Sequence, residues 1–298
     1  MARDPQMKPG VPALKRLLLV LLAILPLHIL AVHAAPAPAG YIVSMTLAGE
    51  DVSAKTAVVR AGKELPPKLM MPVYAGDVVF LRDKASAISL ELGDGSTVAI
   101  GGTVLRYNVQ GEIPTGDDAW SVLTAIGTVL AGGEEVAPVN MVSKGDGDPL
   151  AVPLAVRGTN FVPQNTKQLW LSWAGGTGPF TLTIKVGEAE WATQTVKDRE
   201  ATFTIPKDGD GRFSVVIADS GHERMTVRFR AQKDVPQLPT KIKASAPGKT
   251  AGLLLRAAWL SEQAKGSWRV TAAQQLHAAK NAAAAELLVK LEQGWKLQ

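Results

Sequence analysis

The sequence predicts a mainly β protein, two β units followed by a small α-helical C-terminal module, and three observations predict it. Short apolar runs alternate with polar residues and are broken by Gly-Asp, Asp-Gly and Gly-Pro turns, first from Tyr41 to about Asn108 and again over about 150–235. After Pro236, Pro239 and Pro247 the composition turns helical. Cysteine is absent, so each core must hold by burial alone, without a disulfide framework.

The 298 residues are enough for two or more cores. Residues 1–34 start cationic, ending in Lys15-Arg16, and continue as an apolar run from Leu17 into small residues. That order is the physics of a secretory signal peptide, and Val32-His33-Ala34 fits the small-x-small cleavage rule with Ala35 as the new first residue. The competing reading is a retained membrane anchor over Leu17–Ala34, which Pro26 and His28 weaken. Export without cysteine points to a periplasmic location. It also excludes a lipid-attachment cysteine, a thiolate zinc site and a catalytic thiol. The formal charge of +5 falls to +2 without Arg3, Lys8, Lys15, Arg16 and Asp4.

In the first β unit, over 41–140, Ala57-Val58-Val59-Arg60 leads to Gly62, and Val78-Val79-Phe80-Leu81 follows Gly76-Asp77. Ile88, Leu90 and Leu92 then alternate with Ser89 and Glu91. Asp94-Gly95 supplies a hairpin-type turn before Val98 and Ile100, because that pair tolerates positive φ. The run Ala75-Gly76-Asp77-Val78-Val79, then Ala87 to Leu92, then Asp94-Gly95-Ser96 resembles the periplasmic domain of the FecR family of iron-citrate sensory regulators. The resemblance covers less than a quarter of the chain. It implies a small β-solenoid or sandwich that contacts other envelope proteins. FecR regulators carry a cytoplasmic sigma-factor-binding region before their membrane segment, and only a short stretch precedes Leu17. What the resemblance implies is therefore a domain type and not anti-sigma activity. Asp117-Asp118 leads a helix over Ala119–Leu130, with Trp120, Leu123 and Ile126 at helical spacing and Gly132-Gly133 as its stop. Ser143–Pro149 reads as a linker.

The second unit, 150–235, places Leu169, Leu171 and Trp173 on one face of a strand, with Phe180, Leu182 and Ile184 on the next. Strands follow at Ala201–Ile205, Phe213–Ala218 and Met225–Arg230, a spacing that predicts a β-sandwich. Trp173-Ala174-Gly175-Gly176, then Pro179-Phe180 with Leu182 and Ile184, then Ala218-Asp219-Ser220-Gly221 resembles the immunoglobulin-like modules of bacterial envelope proteins.

The C-terminal module, 249–298, repeats Leu253, Ala257 and Leu260 at helical spacing. Behind Asn281 as cap, Ala284, Leu287, Leu288 and Leu291 form an i, i+3, i+4, i+7 face. Charge is uneven: nine Lys or Arg stand against Glu262, Glu286 and Glu292 from residue 241 onward, a local +6 beside −4 over 35–240. Two roles fit such a tail. It docks on an acidic partner or an anionic membrane surface, or it packs back on its own acidic units.

Candidate chemistry is thin. Gly248-Lys249-Thr250 before a helix has the makings of a phosphate loop, but the first glycine of that spacing would fall at Lys243. Asp208, Asp210 and Gly211 resemble the opening of a calcium loop, with Arg212 at the third ligand position. Asp219, Ser220 and His222 are the residue types of a hydrolytic triad, crowded on one turn where they cannot all aim. His222 and His277 are the histidines beyond the signal segment, too few for a histidine-built metal site. Of the tryptophans, Trp173 reads as core, while Trp170 and Trp191 are the ones free to face outward as a sugar platform, a reading set against core or half-buried packing, which is the favoured one. The near-neutral body, with no basic strand alternating with aromatics, argues against nucleic acid. The expectation is a non-enzymatic binding or scaffold protein with no catalytic, cofactor or metal residues and an envelope protein as partner. The alternative is an accessory sensory component that relays an envelope signal to a membrane-bound regulator or enzyme.

Overall fold

The apolar alternation of the first unit folds into two facing sheets. The computed structural model describes residues 38–47, 55–111, 117–130, 148–206, 211–240 and 248–297. Strands β1 (Gly40–Thr46), β4 (Pro72–Val73), β6 (Ala87–Leu92) and β7 (Thr97–Gly101) form an antiparallel sheet in the order β4-β1-β6-β7. The second sheet, β3-β2-β5-β8, is built from β2 (Thr56–Arg60), β3 (Lys63–Leu65), β5 (Val78–Leu81) and β8 (Arg106–Asn108). Ile42, Ile88, Leu90 and Ile100 from one sheet meet Val58 and Val79 from the other in a shared core. Gly76-Asp77 serves this packing directly. Asp77 is buried and accepts from Arg60 Nε at 3.1 Å, Arg60 Nη2 at 2.8 Å and the Tyr74 N–H at 2.9 Å. Arg60 also donates to the Pro72 carbonyl and lies over the Tyr74 ring, so one guanidinium ties β2 to the entry of β5.

The second unit is a β-sandwich of β9 (Thr159–Pro163), β10 (Gln168–Ser172), β11 (Phe180–Val186), β12 (Ala189–Val196), β13 (Glu200–Thr204), β14 (Arg212–Ala218) and β15 (Arg224–Gln232). A five-stranded sheet, β12-β11-β14-β15-β9, faces the β10-β13 pair. Every pairing is antiparallel except β15 with β9. Leu169, Leu171, Leu182, Ile184, Val215 and Ile217 fill the space between the sheets. Trp173 meets Phe180 edge to face at 5.3 Å, and Phe213 stacks on Phe229 at 5.0 Å.

The helices join the two sandwiches. They are α1 (Asp117–Leu130), α2 (Lys249–Glu262), α3 (Arg269–Ala279) and α4 (Ala282–Glu292). Asn281 caps α4 as its sequence position predicts, its Oδ1 accepting from the Ala284 N–H at 2.8 Å. Helices α2 and α4 pack against α1 and β1, while α3 packs against β9 and β10. A single apolar cluster therefore runs from Val43, Met70 and Leu123 through Leu254 and Leu287 to Leu169 and Trp170. Helix α1 approaches so closely that a Cβ at Gly127 would sit 2.9 Å from the Met70 carbonyl oxygen. Residues Ala37–Gln298 cluster accordingly as one compact unit. The three C-terminal helices are thus packed on their own chain.

Trp170 does not face outward: it is 7% exposed, because α3 covers the outer face of β10. His277 stacks on the indole at 4.2 Å, Trp170 Nε1 donates to Glu200 at 3.1 Å, and Gln274 bonds both the N–H and the carbonyl of Trp170. Strand alternation assumed solvent on that side, and a helix from about a hundred residues downstream replaced it. Trp173, in contrast, is buried in the core as its pattern predicts. Among the described residues no helix is long and apolar enough to cross a membrane.

Candidate functional site

Several of the residues that suggested chemistry are used in holding the fold. The loop Gly248-Lys249-Thr250 does open a helix, α2, but its anion position is filled from within by Glu91 of β6. Both Glu91 oxygens accept from the Thr250 N–H, at 3.0 and 2.9 Å. Gly248 is at φ 67°, and a Cβ there would meet the Glu91 carboxylate, so the approach requires glycine. Burial raises the Glu91 pKa above the ordinary range, and donors from Thr250, Ala251 and Lys249 pull it part of the way back.

A pH dependence follows, with its sign fixed by that direction. The folded chain holds the Glu91 proton to higher pH than the unfolded chain, whose glutamates titrate near about 4.3. The contribution of Glu91 to stability is thus greatest below that ordinary value and declines as pH rises through the raised one. Relative to a Glu91→Gln variant, the wild type should lose stability across that window in urea unfolding series. A difference that stays flat with pH would contradict the assignment.

Asp219, Ser220 and His222 do share one turn, and the first two lock it to another loop. Asp219 accepts from the Thr177 N–H at 2.9 Å and the Glu223 N–H at 2.8 Å, while Ser220 Oγ donates to the carbonyl of Thr177 at 2.9 Å. The Thr177 N–H, then those of Glu223 and Gly221 and the nearby His222, hold the Asp219 carboxyl below its usual range. Both side chains are spent on backbone groups rather than aimed at a reacting atom. Asp208 and Asp210 lie outside the described residues. Among the described residues no cluster of His, Asp or Glu could hold a metal ion. His277 is occupied against Trp170, and Trp191, at 41% exposure, does face solvent.

A different surface concentrates binding groups. The inward side chains of β14 and β15 are Phe213, Val215, Ile217, Val227 and Phe229, so alternation turns Arg212, Ser214, Thr226, Arg228 and Arg230 outward. Register sets Arg230 opposite Arg212 on β14 and opposite Phe161 on β9. It sets Arg228 between Ser214 and Thr159, and brings Lys185 of β11 to the far side of Ser214. These residues line a trough of about 650 Å³ on the outer face of the five-stranded sheet. Glu188, in the β11–β12 turn, is the carboxylate of that lining. The sequence reading found no basic strand alternating with aromatics; Arg228-Phe229-Arg230 is one, with the aromatic turned into the core. The alternation was visible in the sequence, whereas the cross-strand partners that make it a patch were not. Compared with known proteins, the chain matches no family model, no curated protein and no solved structure.

Proposed function

We propose that this protein is a non-catalytic binding or scaffold protein of the bacterial envelope, exported to the periplasm. The observation that carries the reading is the outward face of the five-stranded sheet, a broad cationic trough presented by strands whose other side is locked into a continuous core. A rigid sheet roots its side chains at fixed spacing, so no backbone ordering is added at each encounter, which favours recognition. The use of Asp219, Ser220 and the α2 N-terminus in internal bonds supports the same view. The first sandwich is read as a FecR-like domain on its Gly76-Asp77 and Asp94-Gly95-Ser96 motifs. The order β12-β11-β14-β15-β9 against β10-β13 supports an immunoglobulin-like reading of the second.

The test is to incubate the purified protein with isolated envelope material and follow both association and product release. The protein is expected to sediment with the envelope and to leave its polymers chemically intact. Soluble fragments released at a rate proportional to protein concentration would sink the non-catalytic reading.

A further inference from the structure

Resting on the binding reading above, we infer that the trough on the five-stranded sheet takes an extended polyanionic glycan, a sugar polymer bearing carboxylate or phosphate groups. Neighbouring strands lie about 4.8 Å apart and same-face residues about 7 Å apart along a strand. The register therefore roots Lys185, Arg212, Arg228 and Arg230 within roughly 12 Å of one another. Among the described residues the side chains of Lys185, Arg228 and Arg230 form no ion pair, and the three cations share a trough whose lining holds Glu188 as its carboxylate. Such an arrangement is complementary to a ligand that brings its own negative charges at similar spacing. Planar guanidinium groups match carboxylate and phosphate oxygens two at a time.

What lies between the cations selects among polyanions. Thr159, Ser214 and Thr226 place neutral hydroxyls beside the arginines, groups that pair with sugar hydroxyls. Phe213 and Phe229 point inward and stack on each other, which leaves Phe161 of β9, half-buried and edge-on to Trp268, as a single ring beside the arginines where base recognition uses a series of stacked rings. A trough with walls admits an extended chain more readily than a flat bilayer.

Fluorescence anisotropy of the full chain with labelled polygalacturonate and phosphomannan tests the inference, with neutral dextran as control. Both charged glycans are expected to bind, more weakly as salt rises, and dextran is not. The variant Arg228→Gln with Arg230→Gln is expected to lose about tenfold or more in affinity, while Lys280→Gln with Lys296→Gln stays within about twofold. Arg228→Lys with Arg230→Lys, which keeps charge and loses the fork, is expected to fall between. Equal affinity in the glutamine double variant would overturn the inference. So would tighter binding to polyglutamate, to a single-stranded oligonucleotide, or to vesicles of equal phosphatidylcholine and phosphatidylglycerol than to either glycan. Failure to bind both glycans, with envelope association retained, would overturn this inference and leave the binding reading standing.

Discussion

A chain lacking residues 249–298 is expected not to fold. Leu254, Leu255, Leu260, Leu276, Leu287 and Leu291 of the missing helices are all essentially inaccessible to solvent. At about 1.5–3 kcal/mol for each fully buried leucine, these six alone rival the 5–15 kcal/mol that typically separates a folded domain from its unfolded state. The loss would also expose Val43, Met70, Leu123 and Ile126 of the first unit and Trp170 of the second, which share the same cluster. Glu91 would be left without the N–H donors of α2. The truncated chain should show collapsed near-ultraviolet circular dichroism and elute as expanded or aggregated material. A sharp cooperative melt near the full-length midpoint would show instead that the helices are an appendage.

Trp173→Ala is expected to destabilise the protein by about 3–5 kcal/mol, the usual loss when a large aromatic leaves a core. Trp173 is 2% exposed, and its edge contact with Phe180 links the end of β10 to the start of β11. The indole Nε1 is buried with no hydrogen-bond partner among the described residues. Trp173→Phe, which keeps most of the ring volume and removes that donor, should therefore cost much less than Trp173→Ala. Chemical unfolding of both variants separates the two contributions. Equal losses, or none in the alanine variant, would mean that ring packing is not what Trp173 supplies.

The elements most legible in the sequence were those whose signals are local. Alternation at Ile88, Leu90 and Ile100, the Asp94-Gly95 turn and the Asn281 cap each need only a few neighbouring residues, and each falls where its pattern placed it. Edge strands such as β9 and β12 carry weaker patterns, and the parallel closure of β9 on β15 joins residues far apart in the chain. Faces were harder than elements. Glu91 reads as a polar alternate of its strand, yet it caps α2, and Ser172 of β10 donates to Glu292 of α4 at 2.6 Å. A distant helix decides what a strand face meets, and period-two alternation carries no information about it. The cationic trough was hidden for the same reason: its charges sit on three strands, and only the register collects them.

Gln274 has a bearing on what the free edge of β10 can pair with. One face of its amide takes the N–H and the carbonyl of Trp170, the pair of groups that β10 turns away from β13. The side chain thereby stands in for a residue of an adjacent strand, at an edge where another copy of the chain would otherwise add its own backbone. A two-stranded sheet is a ready template for such intermolecular pairing. By placing a single glutamine against it, α3 guards against fibril-type growth from that edge, a protection present only while the helix is docked.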